Sequence, residues 1–260
     1  MTIARASFLF LAALLALPAA AEISREDLKK ALDANPDLVL AALKKADKVK
    51  FFEVVLAGQN EFQKTRAKEE AKREEQQMEN AFKNPLKPEI GVTARSRGKA
   101  DAPITIVEYS DFECPYCSKG YQNLEQLRKK HGDKLRVVFK HLPLPFHKMA
   151  MPAAEWFEAL YLQSPEKAWI FHDQLFENQD KLSEDYFKAL TKDLGLDGAK
   201  AAADAKSDAV KNKIEADVKE AKGFGIDGTP GYLINGVPLH GALPVEVFEK
   251  VIAKSLAQKK

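Results

Sequence analysis

The 260-residue chain contains only two cysteines, and they stand three positions apart. So few exclude a fold stapled by several disulfides. No second Cys-x-x-Cys and no histidine pair at ligand spacing accompanies them, whereas a structural zinc needs four ligands. A c-type haem needs His directly after the second cysteine, where Ser118 stands instead. Forty basic residues against 38 acidic ones leave a formal charge of +2, and no basic–aromatic patch appears, so nucleic acid is not an expected partner. No apolar run reaches the roughly 20 residues that cross a bilayer as a helix. What remains is an ordinary globular composition, 45% hydrophobic and 30% charged, long enough for one large domain or two smaller ones.

The two cysteines form Cys114-Pro115-Tyr116-Cys117. An apolar run at 104–109 reads as a buried strand leading into them, and residues 118–130 read as the helix that follows. Two such cysteines at a strand-to-helix turn are most simply a redox dithiol. There the first sulfur sits at a helix N-terminus, where free N–H groups and the macrodipole favour negative charge. A stabilised thiolate makes Cys114 both nucleophile and leaving group, and places Cys117, one turn on, to resolve a mixed disulfide. Pro115 costs no hydrogen bond at the first helical position. A purely structural disulfide is the plainer alternative, but so tight a loop tends to be reducible.

The first residues read as an export signal. Arg5 gives a short positive start, residues 8–17 an apolar core, and Ala19-Ala20-Ala21 a small-residue cleavage site, so residues 1–21 are expected to be removed and the rest to reach the periplasm. From Glu22 to about Phe82 the pattern is helical throughout. Ser24 with Asp27 resembles a capping box, and Asn35-Pro36 is expected to end one helix and cap the next. Residues 22–58 carry more apolar surface than a short helical pair can cover, which predicts self-association through that segment; folding back on the chain's own second half is the alternative. Residues 59–91 are charged with mixed signs and read as a helical linker closed by Asn84-Pro85-Leu86-Lys87-Pro88.

Beyond it, the strand at 104–109, the Cys-x-x-Cys helix and a second strand at 135–140 make a βαβ unit, so the two strands should be parallel. Residues 146–223 read as an all-helical insertion with Trp156, Phe157, Trp169, Phe171 and Phe187 on its inner faces. A strand at 231–234, the turn residues Asn235-Gly236 and a returning strand at 237–239 predict a hairpin, with a last helix from about Pro244.

This order resembles the thioredoxin-fold, DsbA-like family of exported thiol–disulfide oxidoreductases over residues 92–257. The fold expected is therefore α/β, a thioredoxin fold over 92–260 with an inserted helical subdomain, preceded by a helical segment. Gly228-Thr229-Pro230 falls where that family places a cis-proline loop facing the active site, and X-Pro bonds are the peptides that adopt cis readily. The resemblance implies that Thr229 and Pro230, with Pro115 and Tyr116, receive the substrate peptide. It implies that Glu108, six residues before Cys114, lies buried under the dithiol and moves protons for Cys117; burial raises a carboxyl pKa and suits it to that work near neutral pH. Lys140 resembles the family's charged partner for that acid.

Two features depart from the strongest oxidant of the family. The inner dipeptide is Pro-Tyr instead of Pro-His, so a donor near the thiolate is missing. The N-terminal extension and the Thr before the proline are more similar to oligomeric isomerase-type relatives, among them the copper-sensitivity suppressor ScsC proteins. Glutaredoxins share Cys-Pro-Tyr-Cys but lack the export signal and the long insertion. The resemblance implies a disulfide isomerase or reductase acting on exported client proteins, recharged by a membrane redox partner, with the dithiol as its redox group and no cofactor or metal. Competing readings are a monomeric dithiol oxidase, a Cu(I)-binding protein using both thiolates, and an exported scaffold indifferent to loss of Cys114.

Overall fold

The computed structural model describes residues 24–258, so the export signal expected at residues 1–21 lies outside them. The chain divides into two units between Ala71 and Lys72. In the first, Ser24 caps α1 (Arg25–Ala34), its Oγ accepting the Asp27 N–H at 3.1 Å. Pro36 opens α2 (Pro36–Lys45). Asn35 does not cap α2 with its side chain as expected; its Nδ2 instead donates to the Ala31 carbonyl, satisfying an orphan acceptor at the end of α1. The long α3 (Lys48–Lys83) follows and runs through the division. No described residue before Lys72 is buried, and Leu38, Phe52 and Val54 are each more than half exposed.

The second unit takes in the last turns of α3. Met78, Ala81 and Phe82 recur at one helix face and join the core, Phe82 fully, so this end of the supposed linker belongs to the globular unit. Its sheet has the order β1-β3-β2-β4-β5: β1 (Arg95–Arg97), β2 (Ile104–Ser110), β3 (Leu135–His141), β4 (Gly231–Ile234) and β5 (Val237–His240). The pairing of β2 with β3 is parallel, as the βαβ pattern requires, and the others are antiparallel. In β1, Arg-Ser-Arg shows no apolar alternation, and it is a strand through its pairing with β3. The β4–β5 turn has both Asn235 and Gly236 at positive φ, 49° and 89°, the combination a two-residue hairpin demands.

Alternation along β2 divides the core. Ile104 and Ile106 pack with Leu124 and Leu127 of α4 (Pro115–His131) and Phe248 of α10 (Val245–Gln258). Val107 and Tyr109 face the other way, toward Ala221 of α9 (Asp208–Gly223). The insertion consists of α5 (Ala150–Gln163), α6 (Pro165–Glu177), α7 (Glu184–Asp193), α8 (Gly198–Ala205) and α9. Its Trp156, Phe157, Phe171 and Phe176 form a cluster that also contains both cysteines. Among the described residues no helix is long and apolar enough to cross a membrane.

Candidate active site

The site begins where β2 ends. Asp111 turns the chain: its carboxylate accepts the Glu113 N–H at 2.8 Å, its carbonyl accepts the Cys114 N–H at 3.2 Å, and its own N–H reaches Cys117 Sγ at 3.4 Å. Cys114 is the N-cap of α4, with Pro115 in its first turn and Cys117 fully buried one turn along. From the insertion, Gln179 Nε2 donates to the carbonyls of Phe112 and Cys114, both at 2.8 Å, which fixes the entry to the helix. Both cysteines are free thiols.

Their environments separate them. The Cys114 thiol is lowered to about 5, chiefly by a hydrogen bond from the Cys117 thiol, with Thr229 and the N–H groups of Cys117 and Tyr116 adding to it against the cost of burial. Cys117 is raised well above the ordinary thiol range, by burial first and then by the neighbouring Cys114. One sulfur is therefore the thiolate and the other keeps its proton.

Thr229-Pro230 is a cis peptide bond, and the Thr229 carbonyl lies 3.6 Å from Cys114 Sγ. Tyr116 is 67% exposed beside the reactive sulfur. Pro115 and Tyr116 thus follow Cys114 at the head of α4, and the Thr229-Pro230 loop faces its sulfur.

Glu108 is almost wholly buried, and its Oε1 has no hydrogen-bond partner. Burial lifts its carboxyl to about 8, with Ser110 and the Arg97 charge pulling it partly back. A cavity of about 10 Å³, near the smallest that admits one water, is lined by Glu108, Arg97, Tyr121 and His172 among others.

Lys140 is not the partner of Glu108. The parallel register sets Phe139 beside Glu108 and Lys140 beside Tyr109, so the lysine points to the opposite face of the sheet. There Nζ donates to Glu220 Oε1 at 2.5 Å and to the Glu89 carbonyl at 2.8 Å. The cation that bears on Glu108 is Arg97, from β1. Sequence reading also passed over Asp111 and Gln179. Only Asp111, three residues before the first cysteine in a turn-forming run, offered a local signal.

The family model described as Thioredoxin matches residues 91–254. The chain is 34% identical over 171 residues to the Na(+)/H(+) antiporter NhaA of Herminiimonas arsenicoxydans, covering 66% of this chain and 26% of that protein. It therefore spans about a quarter of that relative's length. To a "probable disulfide bond formation protein D" of Bacillus cereus it is 32% identical over 156 residues, covering 55% of this chain and 71% of the other. Among solved structures, Proteus mirabilis ScsC in a transitional conformation superposes with a TM-score of 0.55 at 19% identity, over 90% of this chain and all of that one. With the family model matched over residues 91–254, the chain belongs to the thioredoxin family.

Proposed function

We propose that the chain is an exported disulfide isomerase or reductase that works on client proteins in the periplasm, as an oligomer held by residues 22–58. The observation that carries this reading is the split between the two sulfurs, a Cys114 thiol lowered to about 5 above a protonated, buried Cys117. The Cys114 thiolate attacks one sulfur of a client disulfide, forming a mixed disulfide and expelling the other sulfur as a thiolate. In isomerisation a client thiolate then attacks the bound client sulfur, and Cys114 leaves as the thiolate it was. In reduction Cys117 gives its proton to Glu108 and attacks Cys114 Sγ. The client sulfur departs, and the Cys114–Cys117 disulfide remains for a membrane redox partner to reduce. Tyr116 and the Thr229-Pro230 loop receive the client segment.

The oligomer rests on the first unit, whose Leu28, Leu38, Leu40, Phe52 and Val54 are exposed and which has no buried residue among those described; apolar faces of this kind are covered by association. Recovery of a scrambled, disulfide-containing client tests the assignment. The full mature chain restores activity to the client, and Cys114→Ala abolishes that. Client oxidation without unscrambling would instead favour the monomeric oxidase, and tight Cu(I) binding by the reduced chain without either activity would favour metal capture.

A further inference from the structure

The dipeptide between the cysteines lacks a histidine, but the fold ties one from elsewhere to the turn that carries the dithiol. His147 lies in the loop after β3, 33 residues beyond Cys114. Its Nδ1 is 2.7 Å from Asp111 Oδ2, and the same oxygen accepts the Leu144 N–H at 2.8 Å. A second tie, from the Met149 N–H to Glu113 Oε2 at 2.5 Å, holds the same loop to the same turn. Asp111 is fully buried and is also the residue whose carbonyl receives the Cys114 N–H and whose N–H reaches Cys117. The imidazole is thus fixed, through one carboxylate, to the turn that carries both sulfurs. Because Asp111 takes the Nδ1 proton, Nε2 is the nitrogen left to gain and lose one.

We propose that His147 is the redox-linked charge partner of Cys114, binding its proton more tightly while the thiolate is present than once the disulfide has formed. The reasoning is reciprocal. An imidazolium stabilises a nearby thiolate, and by linkage the thiolate must favour the imidazolium by the same factor. The titratable groups facing His147 are Asp111, Glu113 and Cys114; burial opposes its protonation, and the Asp111 bond with the charges of Asp111, Cys114 and Glu113 outweighs that. Of these, Cys114 is the one whose charge disulfide formation consumes, so it is what lets the histidine sense the dithiol.

The direction of proton flow agrees with this assignment. Reduced protein carries a Cys114 thiolate, a Cys117 thiol and a His147 that holds its proton more tightly. When it reduces a client disulfide, two electrons pass to the client sulfurs and the protein disulfide forms. The client leaves as two thiols, taking one proton that began on Cys117 and a second that His147 supplies in part, with solvent making up the remainder.

The inference rests on the oxidoreductase reading, and one set of measurements separates the two. The His147 imidazole is titrated by NMR in the reduced and oxidised forms of the full mature chain, and the Cys114 thiolate by its ultraviolet absorbance in wild type and His147→Gln. The expected result is a His147 proton affinity at least about threefold higher in the reduced form, with Cys114 losing thiolate by a matching factor in His147→Gln. A histidine that titrates identically in both redox states, beside a Cys114 that remains strongly acidic, overturns the inference and leaves the enzyme assignment standing. A wild-type Cys114 that titrates as an ordinary thiol removes both. Should His147→Gln fail to fold, the two wild-type titrations decide alone.

Discussion

Tyr232 stands directly opposite Glu108 across the β2–β4 pairing, and its hydroxyl is pressed against Gly120, one turn beyond Cys117 on α4. A Cβ at position 120 would come within 2.1 Å of that hydroxyl. In an open helix Gly→Ala stabilises by about 0.5–1 kcal/mol. Here Gly120→Ala should instead destabilise by about 1–3 kcal/mol through overpacking. Adding Tyr232→Phe, which removes the intruding oxygen, should restore most of the loss in denaturant melts. Two substitutions that add independently would refute the contact.

Glu108 gives a prediction with a definite sign. Its carboxyl ionises near 4.5 when exposed and near 8 when folded, burial being the cause. Between those values the folded state binds the extra proton, so this group's contribution is complete below about pH 4.5 and declines as pH rises through the window. Glu108→Gln should therefore match wild type near pH 4 and exceed it in stability at pH 8. The same variant should slow attack by Cys117 on a mixed disulfide, because the proton acceptor is gone. Stability measured at both pH values, with rapid-quench trapping of the mixed disulfide, checks both halves.

Arg97, and not Lys140 as the resemblance implied, should be the cation that tunes Glu108. Lys140→Met leaves the half-buried Glu220 on the far face with only the Tyr109 hydroxyl and the Glu89 N–H and should cost about 1–3 kcal/mol, while the Glu108 titration stays where it was. Arg97→Met should push Glu108 further up, since the one cation that lowers it is removed. Carboxyl-resolved NMR titrations of the two variants provide the comparison.

The first unit is expected to hold copies together. Removing residues 22–71, and no further, spares Phe82 and the core it enters. Light scattering should then report a monomer where the mature full chain gives a multiple of its mass. Unscrambling of clients should fall with it, while the reactivity of Cys114 is retained. An unchanged mass would assign the exposed leucines and phenylalanines another cover.

The sulfur chemistry and the order of elements were legible because two cysteines in 260 residues leave one pairing, and because βαβ and hairpin signals are local. The side facing each residue of β3 was not. Val137, Val138, Phe139 and Lys140 are all buried, so no alternation of polarity marks which of them looks toward Glu108. β1 was invisible for the converse reason: three polar residues become a strand only when β3 offers them an edge. Asp111 and His147 lie 36 residues apart in two loops, and nothing short of the fold brings them together.

The central claim is that position makes Cys114 acidic. The direct measurement is the rate of its alkylation by iodoacetamide in the reduced, mature chain as a function of pH. The rate should rise through a midpoint near 5 and be almost flat by neutrality. A midpoint near that of a free thiol, about 8.5, would contradict the account.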